Sequence, residues 1–276
     1  MSTYRGGSLY TNFVGTFTTA SATFVDLLDN AGGSTITTSF TKSAGTSILA
    51  YGGVPFFATG TNAVCYLGVN DGTTDWELGR GFALTTSARR GQTIGAVLIT
   101  GLGAGTFTLK ARVRTHGAGT LNFNTNESVS MSFVEVGTGF ANAQVLTRLC
   151  TSVVTYNSTS TVDVLDAPAG NTVDVTLTKA SAGNKILVFG RANFIYSGGG
   201  AGVPTLKVYD GTTATNIARG GAINTSNYND AVGMVLLTGH SAGSVNLKLQ
   251  VAGSDADSFI TGATSSSMTI WAMEVP

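Results

Sequence analysis

Asp71-Gly72-Thr73-Thr74 returns 139 positions later as Asp210-Gly211-Thr212-Thr213, and the segments around it return in the same order. Val134-Glu135-Val136 is answered at the same interval by Met273-Glu274-Val275, Ile48-Leu49 by Ile186-Leu187 at 138, and Asp26-Leu27-Leu28-Asp29 by Asp163-Val164-Leu165-Asp166 at 137. Drifts of one or two residues are what length changes in loops produce. The interval is far longer than the roughly 20–50 residues of solenoid and propeller repeats, so each copy must close a core of its own. A copy of this size buries about two-thirds of its unfolded surface, enough for an independent domain without a metal or disulfide staple. The expected organisation is a polar, Gly-rich arm over 1–8, a first domain over 9–136, a linker over 137–145 opened by Gly137-Thr138-Gly139, and a second domain over 146–276.

Within each copy, short segments rich in Val, Ile, Thr, Phe and Tyr alternate with Gly, Ser, Asn and Asp, which is the pattern of strands and turns. Ten strands are expected in the first copy, near 9–18, 22–28, 34–42, 47–58, 63–70, 76–84, 92–100, 105–115, 119–124 and 128–136, and ten at matching places in the second. No stretch holds a helical period over eleven residues, and 37 glycines oppose helix on propensity. The fold class is therefore all-β: two tandem antiparallel β-sandwiches, with jelly-roll topology preferred. An immunoglobulin-like sandwich is the rival, but its Cys–Trp–Cys spacing is absent.

Strand faces carry further information. Phe107-Thr108-Leu109-Lys110-Ala111-Arg112-Val113-Arg114 alternates, as a sheet with one wet face requires. By contrast Ile94–Ile99, its counterpart Val232–Leu237, and the closing strand Met268–Val275 are apolar on both sides. Such strands need cover on both faces, and the second cover is most simply a sister subunit, the alternatives being the other domain or a long loop of the same chain. The residues expected at such a self-interface are Val97, Ile99, Val134, Val136, Val235, Leu237, Trp271, Met273 and Val275.

Charge and chemistry exclude more than they assign. Fifteen basic and fifteen acidic residues make up only 11% of the chain and cancel, so no long-range field draws nucleic acid or an anionic membrane. No apolar run approaches the roughly 20 residues of a membrane helix, and the N-terminus shows no signal-peptide core, so synthesis in a host cytoplasm without secretion by that route is expected. Cys65 and Cys150 are not counterparts under the repeat, so both are expected as small buried thiols rather than a duplicated disulfide.

His116 and His240 sit in or beside Gly-rich turns, and no His, Cys or carboxylate cluster has metal-site spacing. Gly79-Arg80-Gly81 and Ser197–Gly202 open no helix that could hold phosphate. Asp26 and Asp29, with Asp163 and Asp166, lie three apart on a strand and point to opposite sides, unlike a glycosidase pair. Asp210, Asp255 and Asp257 lack calcium-loop spacing. No enzyme activity and no cofactor are expected. Trp76, Tyr196 and Tyr228 could stack on a sugar ring, although strand packing accounts for Trp76 and Tyr196.

Each copy resembles the compact jelly-roll domains of the tumour necrosis factor and C1q-like type, which also recur in virion proteins of tailed phages. The resemblance is carried by the Asp71-Gly72-Thr73 and Asp210-Gly211-Thr212 turns, the segments 97–109 and 235–247, and the closing strands ending Val134-Glu135-Val136 and Met273-Glu274-Val275. It implies a tight homotrimer around the sheet that holds the closing strand. No collagen stalk, anchor or secretion signal accompanies it, so a tandem, low-charge version resembles phage capsid decoration proteins. The resemblance implies a virion location and a major capsid protein or other virion protein as partner, with Tyr4 and Arg5 in a capsid-binding arm. The alternatives are a tail-associated, carbohydrate-binding receptor protein and, behind it, a double jelly-roll major capsid protein.

Overall fold

The structure, a computed structural model, describes residues 5–59, 63–83, 90–116, 119–125, 127–137, 142–150, 154–156, 159–166, 169–196, 204–219, 228–253, 259–261 and 266–275. The chain divides into two compact units, Met1–Phe140 and Ala141–Pro276. Among the described residues every regular element is a strand.

Unit 1 holds β1 (Gly6–Asn12), β2 (Phe17–Thr19), β3 (Val25–Asp26), β4 (Thr37–Lys42), β5 (Thr46–Thr59), β6 (Ala63–Asn70), β7 (Asp75–Ala83), β8 (Arg90–Ile99), β9 (Gly105–His116), β10 (Thr120–Phe123) and β11 (Ser128–Gly137). In its first sheet β5 pairs with β8 on one side and with β10 and β11 on the other, while β2 and β1 lie outside β10 and β11. In the second, β3 and β4 flank β9, followed by β6 and β7. β1 with β2, β3 with β4, and β10 with β11 are each one strand interrupted by a loop. The result is two four-stranded antiparallel sheets in jelly-roll order.

Unit 2 holds β12 (Ala143–Cys150), β13 (Val154–Tyr156), β14 (Val162–Asp163), β15 (Asp174–Lys179), β16 (Lys185–Tyr196), β17 (Thr205–Tyr209), β18 (Ala214–Arg219), β19 (Tyr228–Leu237), β20 (Gly243–Ala252), β21 (Phe259–Thr261) and β22 (Ser266–Val275). Its sheets repeat the order of unit 1 strand for strand. Alternate inward residues fill each core: Ile48, Ala50, Val54, Phe56, Leu67, Leu109, Val113 and Phe133 in unit 1, and Ile186, Val188, Phe194, Leu206, Leu247, Leu249 and Ile270 in unit 2.

Two expected boundaries shift. Gly6–Ser8, read as arm, are the start of β1 and pair with Ser132–Val134. Ala143–Val145, read as linker, open β12 against Trp271–Met273. Both segments lack an apolar pattern, so only pairing with the closing strand reveals them as edge strands.

The sheets approach each other edge to edge where β7 meets β8, and glycine makes the approach. A Cβ on Gly95 would collide with the Leu78 carbonyl oxygen, and one on Gly79 would sit 2.6 Å from the Ile94 carbonyl oxygen. Gly233 of β19 meets the Ile217 carbonyl of β18 in the same way. Backbone cannot yield as a flexible side chain does, so Gly95→Ala or Gly233→Ala is expected to cost about 2–3 kcal/mol. Gly103→Ala, in open space, is expected to be nearly neutral in the same urea-unfolding measurement.

Candidate functional site

The duplicated Asp-Gly-Thr-Thr motif is a β-turn held by its own aspartate. Asp71 Oδ1 accepts from Thr73 N at 2.9 Å, Thr73 Oγ1 at 2.8 Å and Thr74 N at 2.8 Å, and Gly72 takes φ +103°. Asp210 repeats the three bonds at 2.9, 2.8 and 2.8 Å, with Gly211 at φ +96°. Positive φ is open to glycine at little cost, which explains the Asp-Gly pair in both copies. Unit 2 adds His240, whose Nε2 stands 3.4 Å from Asp210 Oδ2.

A second duplicated device is a buried carboxylate in the closing strand. Glu135 accepts from Ser43 N at 2.5 Å and Thr46 Oγ1 at 2.6 Å, and Arg5 Nη1 lies 3.3 Å from its other oxygen. Glu274 accepts from Ala180 N at 2.9 Å, Ser181 N at 3.1 Å, Asn184 Nδ2 at 2.8 Å and Asn142 Nδ2 at 3.1 Å. Each glutamate thereby ties the turn entering the long central strand to the last strand of its unit. Lys42 and Lys179, also buried, donate to the carbonyls of Ser43 and Ala182 at 2.8 and 2.9 Å in the same turns.

Burial alone would raise the Glu135 carboxyl, but bonds from Thr46 and Ser43 and the Arg5 charge outweigh it and hold it below the ordinary value. Burial is likewise overcome at Glu274 by Ala180, Asn184, Ser181 and Asn142. Both groups are thus more acidic folded than unfolded, so their stabilisation is complete above the unfolded pKa of about 4.3 and is lost as pH falls through the folded value. Stability is expected to hold level from pH 7 to about 5 and then to fall in acid. Glu274→Gln should lower the neutral plateau by about 1.5–3 kcal/mol, the weight of hydrogen bonds to a charged group, and should flatten the acid limb in denaturant titrations across pH.

The residues expected at a self-interface separate into three groups. Ile99 and Leu237 are members of the two cores, and Val97 and Val235 pack against them. They face inward because each is an inner-face position of β8 or β19, and their contacts are with the core of their own unit. Val134, Val136, Trp271 and Met273 do lie on the outer faces and outside both core clusters, yet all four are buried within the single chain. Trp271 stacks on Phe189 with ring centroids 5.7 Å apart. Their cover is therefore already supplied without a sister subunit, and Val275 alone of the closing-strand residues is half-buried. Among the described residues, the large apolar side chains left open on that sheet are Met234 and Leu236 of β19, 56% and 45% exposed.

The expected capsid-binding arm is also revised. Arg5 is engaged with the body of unit 1: its carbonyl accepts from Glu135 N at 2.9 Å, and its guanidinium reaches Glu135 and the Ser43 hydroxyl. Asn142 plays the equivalent part in unit 2, its carbonyl accepting from Glu274 N at 2.8 Å. Tyr4 lies outside the described residues.

Other candidates resolve into structure. Asp26 pairs with Lys110 and Arg112 on a sheet face, whereas Asp29 caps a turn by accepting from Ser34 N at 2.9 Å. Asp163 holds Lys248 and Gln250, and Asp166 holds Asn171. Among the described residues no group of three His, Cys, Asp or Glu is placed to hold a metal, and no helix is long and apolar enough to cross a membrane. Trp76 packs on the core of unit 1; Asp255 and Asp257 lie outside the described residues, as do the side chains of Tyr196 and Tyr228. Cys65 is a free buried thiol pushed up to about 12 by burial, with Thr93 acting in the opposite direction. It is expected to resist a thiol reagent in the native protein and to react only on unfolding. The side chain of Cys150 lies outside the described residues.

One constellation was not legible beforehand. On the outer face of β6, β7 and β9, the Tyr66 ring lies beneath two guanidinium groups, Arg114 Cζ at 3.8 Å and Arg80 Cζ at 4.4 Å from its centroid. Glu77 binds Arg80 at 2.5 and 3.3 Å and Arg114 at 3.3 Å. Beside them Arg112 bridges Asp75 at 3.0 Å and Asp26 at 3.2 Å. The alternation Lys110, Arg112, Arg114 marked a wet face, but Tyr66 sits in an apolar run and reads as core. Only the register Arg114–Tyr66–Arg80 across three strands brings the group together.

No family model matches the chain, and no curated protein matches it. Among solved structures, the CBM22-1–CBM22-2 tandem domain of Paenibacillus barcinonensis Xyn10C aligns with TM-score 0.28 at 12% identity, covering 94% of this chain and 96% of that one. The infectious bursal disease virus VP2 subviral particle aligns with TM-score 0.27 at 13% identity, covering 99% and 72%. The PBSX exported protein XepA aligns with TM-score 0.20 at 6% identity, covering 96% and 86%. These scores are too low to carry a statement about what the chain does.

Proposed function

We propose that the chain is a structural component of a phage virion: a homotrimeric decoration protein that binds the head through the major capsid protein and stabilises it. The observation that carries this reading is the strand order. Both units place the closing strand beside the long central strand, with β8 or β19 beyond it, a jelly-roll order in keeping with the resemblance to tumour necrosis factor and C1q-like virion domains. The duplicated motifs support a load-bearing role, because Asp71, Asp210, Glu135 and Glu274 are all engaged in holding turns and strands.

Self-association then falls to the open end of the unit 2 sheet rather than to its closing strand. Met234 and Leu236 continue the apolar rows begun by Phe189 and Leu187, opposite which they pair, and β19 carries no charge from Ala231 to Leu237. Removing an apolar stripe from water stabilises by about 25 cal/mol per Å² and is insensitive to salt. Light scattering of the full chain should give three protomers at both low and high salt. Leu236→Glu should yield a folded monomer with unchanged thermal unfolding at the level of the single unit. A wild-type monomer at micromolar concentration would remove the trimer, and failure to co-sediment with purified heads of the parent phage would remove the head-binding role.

A further inference from the structure

The outer face of β6, β7 and β9 in unit 1 departs from its counterpart in unit 2, although turns, cores and strand order correspond. Matching registers place Thr205 where unit 1 has Tyr66, Ala252 where it has Arg114, Gln250 where it has Arg112 and Asn216 where it has Glu77. Lysine, aspartate and one arginine persist, as Lys110, Asp26 and Arg80 against Lys248, Asp163 and Arg219. What unit 1 adds is guanidinium laid on an aromatic ring.

The two guanidinium groups over the ring are not fully engaged. Glu77 takes Nε and Nη2 of Arg80 but only Nη2 of Arg114. Among the described residues, Nε and Nη1 of Arg114 and Nη1 of Arg80 make no further hydrogen bond, and the Arg114 side chain is 26% exposed. Contact with the Tyr66 ring, and for Arg114 also with the Phe24 ring at 5.2 Å, restricts both groups, which lowers the entropy lost when a planar acceptor binds. Lys110, Arg112, Arg114 and Arg80 face only three carboxylates, Asp26, Asp75 and Glu77, so the face is locally positive on a chain of zero formal charge.

We propose that this face of unit 1 docks a carboxylate-bearing segment of a partner protein, one carboxylate seating on the outward N–H edges of Arg114 and Arg80 above Tyr66. Charge complementarity and the fork geometry of guanidinium select a carboxylate. A protein segment fits better than an acidic glycan, because Tyr66 is 3% exposed and offers no open ring face on which a sugar could stack. The site does not depend on the virion reading and would operate in any assembly.

The test is fluorescence anisotropy of a labelled deca-glutamate peptide with the full chain, at low and high salt. Wild type is expected to bind at low salt. Arg114→Ala should weaken binding about tenfold, and Arg114→Lys, which keeps the charge without the fork, should recover only part of it. Lys248→Ala on the unit 2 face should change nothing. If Arg114→Ala unfolds, Arg80→Ala reads the same site with Arg114 still on the ring. No binding by wild type, unchanged binding in a folded Arg114→Ala or Arg80→Ala protein, or stronger binding of oligogalacturonate than of the peptide would overturn the proposal.

Discussion

Each unit depends on letting two sheets touch at their edges without a side chain between them. Where β7 meets β8, and β18 meets β19, backbone lies against backbone at Gly79, Gly95 and Gly233. A sandwich whose edges stay apart leaves rows of unpaired N–H and C=O groups that invite pairing with other chains. Here the approach is so close that a single methyl would force it open. On the opposite side Gly7 packs against the Phe40 ring and Thr38 donates to the Ser8 carbonyl at 3.3 Å, bringing β4 to β1. The glycine content that argues against helix in the sequence thus has a second use in the folded state.

Within that frame, buried polar groups set register. Glu135 and Glu274 are carboxylates in otherwise apolar closing strands, and a buried charge is tolerated only when its acceptors are filled. In each, one carboxylate oxygen is filled from the turn before the central strand, so first and last parts of each unit are tied at one point. The two copies reach this by different means: unit 1 ends the network on the Arg5 cation, unit 2 on the neutral Asn142 amide. Arg5 is for that reason part of the closing-strand network rather than of a free arm.

Surface faces diverged where cores did not. One outer face of unit 1 carries the Arg80, Tyr66 and Arg114 stack, while the matching strands of unit 2 keep Arg219 but carry Thr205 and Ala252 in place of the ring and the second guanidinium. Conversely β19 leaves Met234 and Leu236 open while Ala96, the β8 counterpart of Met234, is buried. A shared strand order fixes what each unit must do to fold; it leaves each face free to meet something different.

The sequence by itself determined the class, the motifs that occur twice and nearly every strand. Alternation and turn residues are local, and β6, β9, β20 and β22 fall within one or two residues of their expected ranges. The Asp-Gly turns were equally legible, since a carboxylate accepting from the next residues needs nothing distant. Facing and cover were decided only by tertiary structure. Val97, Ile99, Val235 and Leu237 belong to doubly apolar strands, and composition cannot say which side of such a strand meets the core. Trp271 and Met273 are apolar whether a sister chain or their own chain shields them, and only the fold shows the latter. Tyr66 became part of a charged face because strands distant in sequence set Arg114 and Arg80 over it, and that pairing is a property of register, not of any single stretch of chain.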